Sequence, residues 1–244
     1  MNAPLRLAAV AGWGHRAACW ERLAVTGATI QPLGLPGHEA AADPAECSLA
    51  AAAESLAGEW HVVAGWSLGG LVALEALRRG LIAPRGLVLV ATPPSFLART
   101  GYPAGQPPAV LDDFRAGLLA DPLATLRRFY ALQFRGDEAP RRLWSPATVR
   151  ERFLATDADP QALAGWLEVL GAADLTAEPP ALDLPVLVLH GDRDAVVDPA
   201  ALAFFRDGGA QVTAHSVAGA GHAPHITHAE ETGTRIGEFV RALA

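Results

Sequence analysis

Gly65-Trp66-Ser67-Leu68-Gly69 sets one serine between two glycines, after an apolar run (Trp60 to Ala64) and before a helical pattern (Leu71 to Arg79). Between a strand and a helix this spacing makes a sharp turn that lifts the serine hydroxyl off the strand end. Side chains at the glycine positions would strike the neighbouring backbone. A serine hydroxyl is a weak nucleophile at neutral pH, so it needs an adjacent base, and the base needs a third group to orient it. His215, His222, His225 and His228 all lie downstream, and His222 follows the loop Gly219-Ala220-Gly221, after the last apolar run and before the last helical one. His222 is therefore the candidate general base. The orienting acid is one of Asp192, Asp194 and Asp198, which follow the run Val186 to His190. Any of the three could instead form a turn or cap a helix.

An acyl-transfer site also needs donors for the oxyanion. Leu68 offers a backbone N–H at the start of the helix, where donors lack intrahelical partners and the dipole favours an anion. Gly12-Trp13-Gly14, at the end of the first apolar run, offers a second N–H at Trp13. The spacing of His222, His225 and His228 invites a metal reading. Pro224 is expected to interrupt any helix there, and no His-Glu-x-x-His pattern occurs. No metal and no other cofactor is expected.

These groups need elements to hold them. Strands are expected over 5–10, 28–33, 60–64, 85–91, 186–190 and 211–217. Helices are expected over 16–24, 48–58 (with Ser48 as N-cap), 71–79 and 230–243. From 95 to 180 no strand pattern stands out, and helical patterns cover 109–119, 122–134, 145–155 and 160–170. Alternating strands and helices imply an α/β fold with a mostly parallel sheet and helices on both faces. The expected organisation is a core of 1–94 and 181–244, with 95–180 inserted as a helical lid over the edge where open α/β sheets bind ligands.

Composition narrows the function classes. With 244 residues and 51% hydrophobic content, the chain can bury a large core. A net charge of −7 argues against nucleic acid as a general partner. All 19 basic residues are Arg, so lysine Schiff-base chemistry is excluded. Two cysteines, Cys19 and Cys47, fit reduced thiols rather than a disulfide scaffold. Met1 to Val10 does not read as a signal peptide, and no apolar stretch is long enough to span a membrane. The expectation is a cytoplasmic monomer.

The chain resembles the carboxylesterases of biotin synthesis that cleave the methyl ester of pimeloyl-acyl carrier protein. The resemblance rests on Gly12-Trp13-Gly14, on Gly65-Trp66-Ser67-Leu68-Gly69-Gly70-Leu71, on Arg128-Phe129-Tyr130-Ala131-Leu132-Gln133, and on Gly221-His222-Ala223-Pro224-His225-Ile226-Thr227-His228. It implies the α/β-hydrolase fold, a triad of Ser67, Asp194 and His222, and oxyanion donors at Trp13 and Leu68. It also implies that Trp66 and Phe129 line an acyl pocket and that Arg128 contacts the substrate. Two departures stand out: the chain starts at what would be the family's third strand, and Ala11 replaces the His that often precedes Gly-Trp-Gly.

Residues 115 to 152 carry eight Arg (115, 127, 128, 135, 141, 142, 150, 152) against Asp121, Asp137, Glu138 and Glu151, a local balance of +4. Such a patch would attract an acidic carrier protein, or would simply solvate helix faces. Leu118, Leu119, Leu123, Phe129 and Phe134 could cover an acyl chain or pack the insertion onto the core.

Overall fold

The computed structural model describes residues 4–39 and 47–243. Among them, six strands form one sheet: β1 (Leu5–Val10), β2 (Ala28–Leu33), β3 (Val62–Trp66), β4 (Gly86–Val90), β5 (Val186–Gly191) and β6 (Val212–Val217). The order is β2-β1-β3-β4-β5-β6, and every pairing is parallel. β3, β4 and β5 are buried along their whole length, which is why they read as continuous apolar runs rather than alternating ones. The edge strands β2 and β6 are only half-buried.

The helices of the core are α1 (Leu49–Ser55), α2 (Leu68–Arg78), α7 (Ala200–Asp207), α8 (Pro224–Thr227) and α9 (Ala229–Ala242). Ser48 caps α1, its hydroxyl accepting from the Ala51 N–H at 3.1 Å. α2 packs on β1, β3 and β4, α7 on β5 and β6, and α9 on β5. Between β4 and β5 lie α3 (Pro108–Ala120), α4 (Pro122–Gln133), α5 (Ala147–Phe153) and α6 (Pro160–Ala172). Asp121 and Asp159 cap α4 and α6, and each of these helices has Pro at its first position, where the missing N–H costs nothing. No helix among the described residues is long and apolar enough to cross a membrane.

Four local expectations change. Residues 16–24 form only a short 3-10 turn, Ala17–Trp20, with no side-chain cap to extend it. α2 begins at Leu68, three residues before its apolar pattern, because its first turn is the glycine pair that packs against the sheet. Pro224 does not prevent a helix; it starts the single turn α8 from the N-terminal position that proline tolerates. The eight-residue α7 has no counterpart among the expected elements.

Strand order and register decide where the loops meet. The order reverses direction between β1 and β3, the point where an open parallel sheet leaves a crevice at its C-terminal edge. Val10 pairs with Gly65, so the turn after β1 lies beside the turn after β3. Gly191 pairs with Val217, so the loops after β5 and β6 are also neighbours.

Candidate active site

Ser67 sits between β3 and α2 with φ 54° and ψ −121°, outside the regions that L-residues populate freely. The surrounding glycines show what holds this strain. A Cβ on Gly69 would stand 2.5 Å from the carbonyl oxygens of Val10 and Ala11. A Cβ on Gly65 would collide with the backbone of Gly69 and Gly70, and one on Gly70 with Thr92. Only a bare backbone lets α2 start this close to the strands. The Ser67 N–H donates to the Val90 carbonyl at 2.8 Å, fixing the turn to β4.

His222 and Asp194 meet across the adjoining loops. His222 Nδ1 lies 2.7 Å from Asp194 Oδ2, and both side chains are fully buried. Asp194 Oδ1 accepts from the N–H groups of Val196 and Val197 at 2.8 and 3.0 Å. Burial by itself would raise this carboxyl's pKa. The adjacent His222, with the hydrogen bonds from His190 and His222, outweighs burial and holds it well below the ordinary carboxylate range. The other two acids are committed elsewhere: Asp192 Oδ1 accepts from Gly219 N–H at 2.7 Å, and Asp198 Oδ1 from Ala200 N–H at 2.8 Å at the start of α7. Of the three aspartates left open by the spacing, the structure joins Asp194 to the histidine.

His222 Nε2 is buried and has no hydrogen-bond partner among the described residues. The Ser67 hydroxyl is not bonded to it here; such contacts commonly tighten only when substrate binds. The two residues are tied through Trp66. Its indole N–H donates to the His222 carbonyl at 2.9 Å, and its ring centroid lies 5.6 Å from that of the imidazole.

Leu68 is the first residue of α2, so its N–H has no intrahelical acceptor. Trp13 follows β1, and Gly12 of the same turn packs against Trp66 and the Ser67 Cβ. The Trp13 indole N–H donates to the Leu163 carbonyl of α6 at 2.9 Å. Trp66 has no exposed surface; its ring packs against His15 and His225. Phe129 is buried on the inner side of α4, edge-on to Trp13 at 5.0 Å and to Phe114 at 5.6 Å. Arg128 is exposed, with its guanidinium 5.3 Å from the Phe114 ring centre.

Two histidines near the site lay outside the expected set. His190, at the end of β5, places Nε2 3.0 Å from Asp194 Oδ2 and 3.0 Å from the Val197 carbonyl. Its signal in the sequence was a lone histidine closing an otherwise apolar strand, four residues before the acid. His15 is fully buried, with Nδ1 2.9 Å from the Trp13 carbonyl, and burial lowers its pKa to about 3. His225 sits between Trp20 and Trp66, and burial likewise pushes it far below the ordinary histidine value. His228 Nδ1 contacts the Thr227 hydroxyl at 3.0 Å. Among the described residues, no group of three or more His, Cys, Asp or Glu is arranged to hold a metal ion.

A family model described as "Alpha/beta hydrolase family" matches residues 9–233. The pimeloyl-[acyl-carrier protein] methyl ester esterase of Aromatoleum aromaticum is 34% identical over 253 residues, covering 99% of this chain and 100% of that protein. The enzyme of the same name from Stenotrophomonas maltophilia (strain R551-3) is 35% identical over 223 residues, covering 88% of this chain and 84% of its own. This chain belongs to the alpha/beta hydrolase family. It is a carboxylesterase, similar over most of its length to these methyl ester esterases. Among solved structures, an esterase from Exiguobacterium antarcticum superposes with a TM-score of 0.86 over 99% of this chain and 93% of that one, at 19% identity. At that identity the likeness speaks for the hydrolase fold alone.

Proposed function

We propose that this hydrolase cleaves the methyl ester of a pimeloyl group carried on acyl carrier protein, the step that its resemblance assigns to biotin synthesis. Ser67 is the nucleophile, His222 the general base and Asp194 its orienting acid. The observation that carries the chemistry is the 2.7 Å contact between His222 Nδ1 and Asp194 Oδ2. It keeps the proton on Nδ1 and leaves Nε2 free to accept one.

Ser67 Oγ attacks the ester carbonyl carbon as its proton passes to His222 Nε2. The carbonyl oxygen becomes an oxyanion held by the N–H groups of Trp13 and Leu68. As the tetrahedral centre collapses, the bond to the methoxy oxygen breaks, and that oxygen takes the proton from His222 and leaves as methanol. Water then attacks the acyl-serine, giving a proton to His222. The acid departs as Ser67 Oγ recovers its proton.

The carrier-linked substrate is supported by the named relatives and by the charge of the segment 95–180, which we read as a lid. A groove of about 710 Å³ on this segment is lined by Arg128, Arg135 and Arg141 together with Phe114, Phe134 and Trp144. Asp113 and Asp137 also reach its wall. Arg115, Arg127 and Arg152 are paired with acids, whereas the three groove arginines make no ion pair among the described residues. Three arginines against Asp113 and Asp137 leave the groove with a net positive charge of one. Of the apolar residues, Leu118, Phe129 and Phe134 are buried and pack the segment down, while Leu119 is 88% exposed.

The test compares methanol release from pimeloyl-carrier-protein methyl ester with hydrolysis of p-nitrophenyl butyrate, combined with mass spectrometry after fluorophosphonate treatment. Labelling at Ser67 and a kcat/KM preference for the carrier-linked ester are expected. Labelling elsewhere would overturn the site. An equal or better rate on the short ester would favour a general short-chain esterase.

A further inference from the structure

The loop that carries His222 is held from three directions. From below, the Trp66 indole N–H grips the His222 carbonyl. From the acid loop, Asp192 accepts from Gly219 N–H at 2.7 Å, and Arg193 N–H donates to the Ala220 carbonyl at 2.9 Å. The third side is the end of α4. His222 N–H donates to the Gln133 carbonyl at 2.8 Å, and Glu138 N–H to the Gly219 carbonyl at 2.8 Å. Asp137 joins these with one oxygen: Oδ2 accepts from Gly221 N–H at 2.9 Å and from the Thr227 hydroxyl at 2.8 Å. Its other oxygen accepts from Ala139 N–H at 2.8 Å, which locks the carboxylate's orientation. The glycines of the loop exist for this contact. A Cβ on Gly221 would collide with the Gln133 carbonyl, and Gly219 has φ +72° with a Cβ position 3.0 Å from Glu138.

Building on the esterase reading above, we infer that Asp137 is a positioning residue for His222. Residues 133–138 of the helical segment serve as the strut that sets the general base over Ser67. Asp137 does not touch the reacting atoms. It acts by clamping the backbone before His222 (at Gly221) and the helix turn after it (at Thr227), so that the imidazole has one place to stand. A charge-assisted acceptor on two donors is a stronger clamp than a neutral one, and a base displaced by about 1 Å costs on the order of 10²-fold in rate.

The experiment uses the full chain and p-nitrophenyl butyrate, an ester that needs no carrier recognition. In Asp137→Ala, kcat is expected to fall on the order of 10- to 100-fold, with KM changing less than about threefold. The low-field proton resonance of His222 Nδ1–H should broaden or move. Asp137→Asn, which keeps the shape, guards against a variant that fails to fold; it should show a smaller kcat loss in the same direction. Thr227→Val should lose part of the effect, and the double variant Asp137→Ala/Thr227→Val should be no worse than Asp137→Ala, since both act through one carboxylate. An Asp137→Asn protein with kcat within about twofold of the parent and an unchanged His222 resonance would overturn the inference. The esterase reading fails separately: if the parent is not labelled at Ser67 by a fluorophosphonate, that reading is wrong whatever Asp137 does.

Discussion

Asp194 Oδ2 lies 2.7 Å from His222 Nδ1 and 3.0 Å from His190 Nε2, so one buried carboxylate oxygen serves two histidines. Losing the charge there should disable the base without emptying the site. In Asp194→Asn one of the two oxygens becomes an NH2 donor, so either the Val196 and Val197 N–H groups or the two imidazoles lose their acceptor; an NH2 turned toward His222 favours the wrong imidazole tautomer. We expect kcat on short esters to fall by about 10⁴-fold. Steady-state kinetics check this, and a variant retaining more than a tenth of parental kcat would remove Asp194 from its role.

Trp66 gives a second handle on the base. Trp66→Phe keeps the aromatic bulk but removes the donor, leaving the buried His222 carbonyl without its indole partner. A buried unsatisfied acceptor costs about 1–3 kcal/mol. Urea unfolding should show a loss of that size, with a several-fold fall in kcat as the His222 loop loosens. Unchanged stability would mean that another donor replaces the indole.

Acid should destabilise the fold well before ordinary carboxylates protonate. Burial lowers His15 to about 3 and His38 to about 4. An unfolded histidine titrates near pH 6.5. Between those values the unfolded chain binds protons that the folded chain refuses, so stability falls as pH drops through the window from roughly 6.5 to 4. Each such histidine contributes about 1.4 kcal/mol per pH unit there. Asp194 works in the same sense at lower pH, since its depressed folded value adds stability that disappears as acid protonates it. Urea unfolding at pH 7, 6 and 5 reads the slope. His38→Gln should flatten it by about one proton's worth, and an identical slope in parent and variant would refute the assignment.

Charge reversal in the groove separates carrier recognition from chemistry. Arg128→Glu is expected to raise KM for the carrier-linked ester about tenfold and to weaken its salt dependence. Hydrolysis of p-nitrophenyl butyrate should stay within about twofold. Equal loss on both esters would place Arg128 in the chemistry or the fold instead.

Much of this was legible along the chain. The glycine-flanked serine, the six strand segments, the four helices between β4 and β5, and His222 after its glycine loop all follow from local rules of turns, periodicity and caps. Those rules concern neighbours within a few residues, which is why they survive without coordinates. Strand register lies outside their reach. Only the pairing of Gly191 with Val217, and of Val10 with Gly65, brings Asp194 to His222 and the Trp13 turn beside that of Ser67. Spacing alone leaves Asp192, Asp194 and Asp198 open and the resemblance points to Asp194; in the fold it is the Asp194 carboxylate that meets the imidazole of His222. The parts played by Gln133 and Asp137 had no distinct mark in the sequence, and His190 had only that of a lone histidine closing an apolar strand. They come from backbone and side-chain hydrogen bonds, some between positions nearly ninety residues apart, whose partners exist only once the sheet edge and the helical segment have closed on each other.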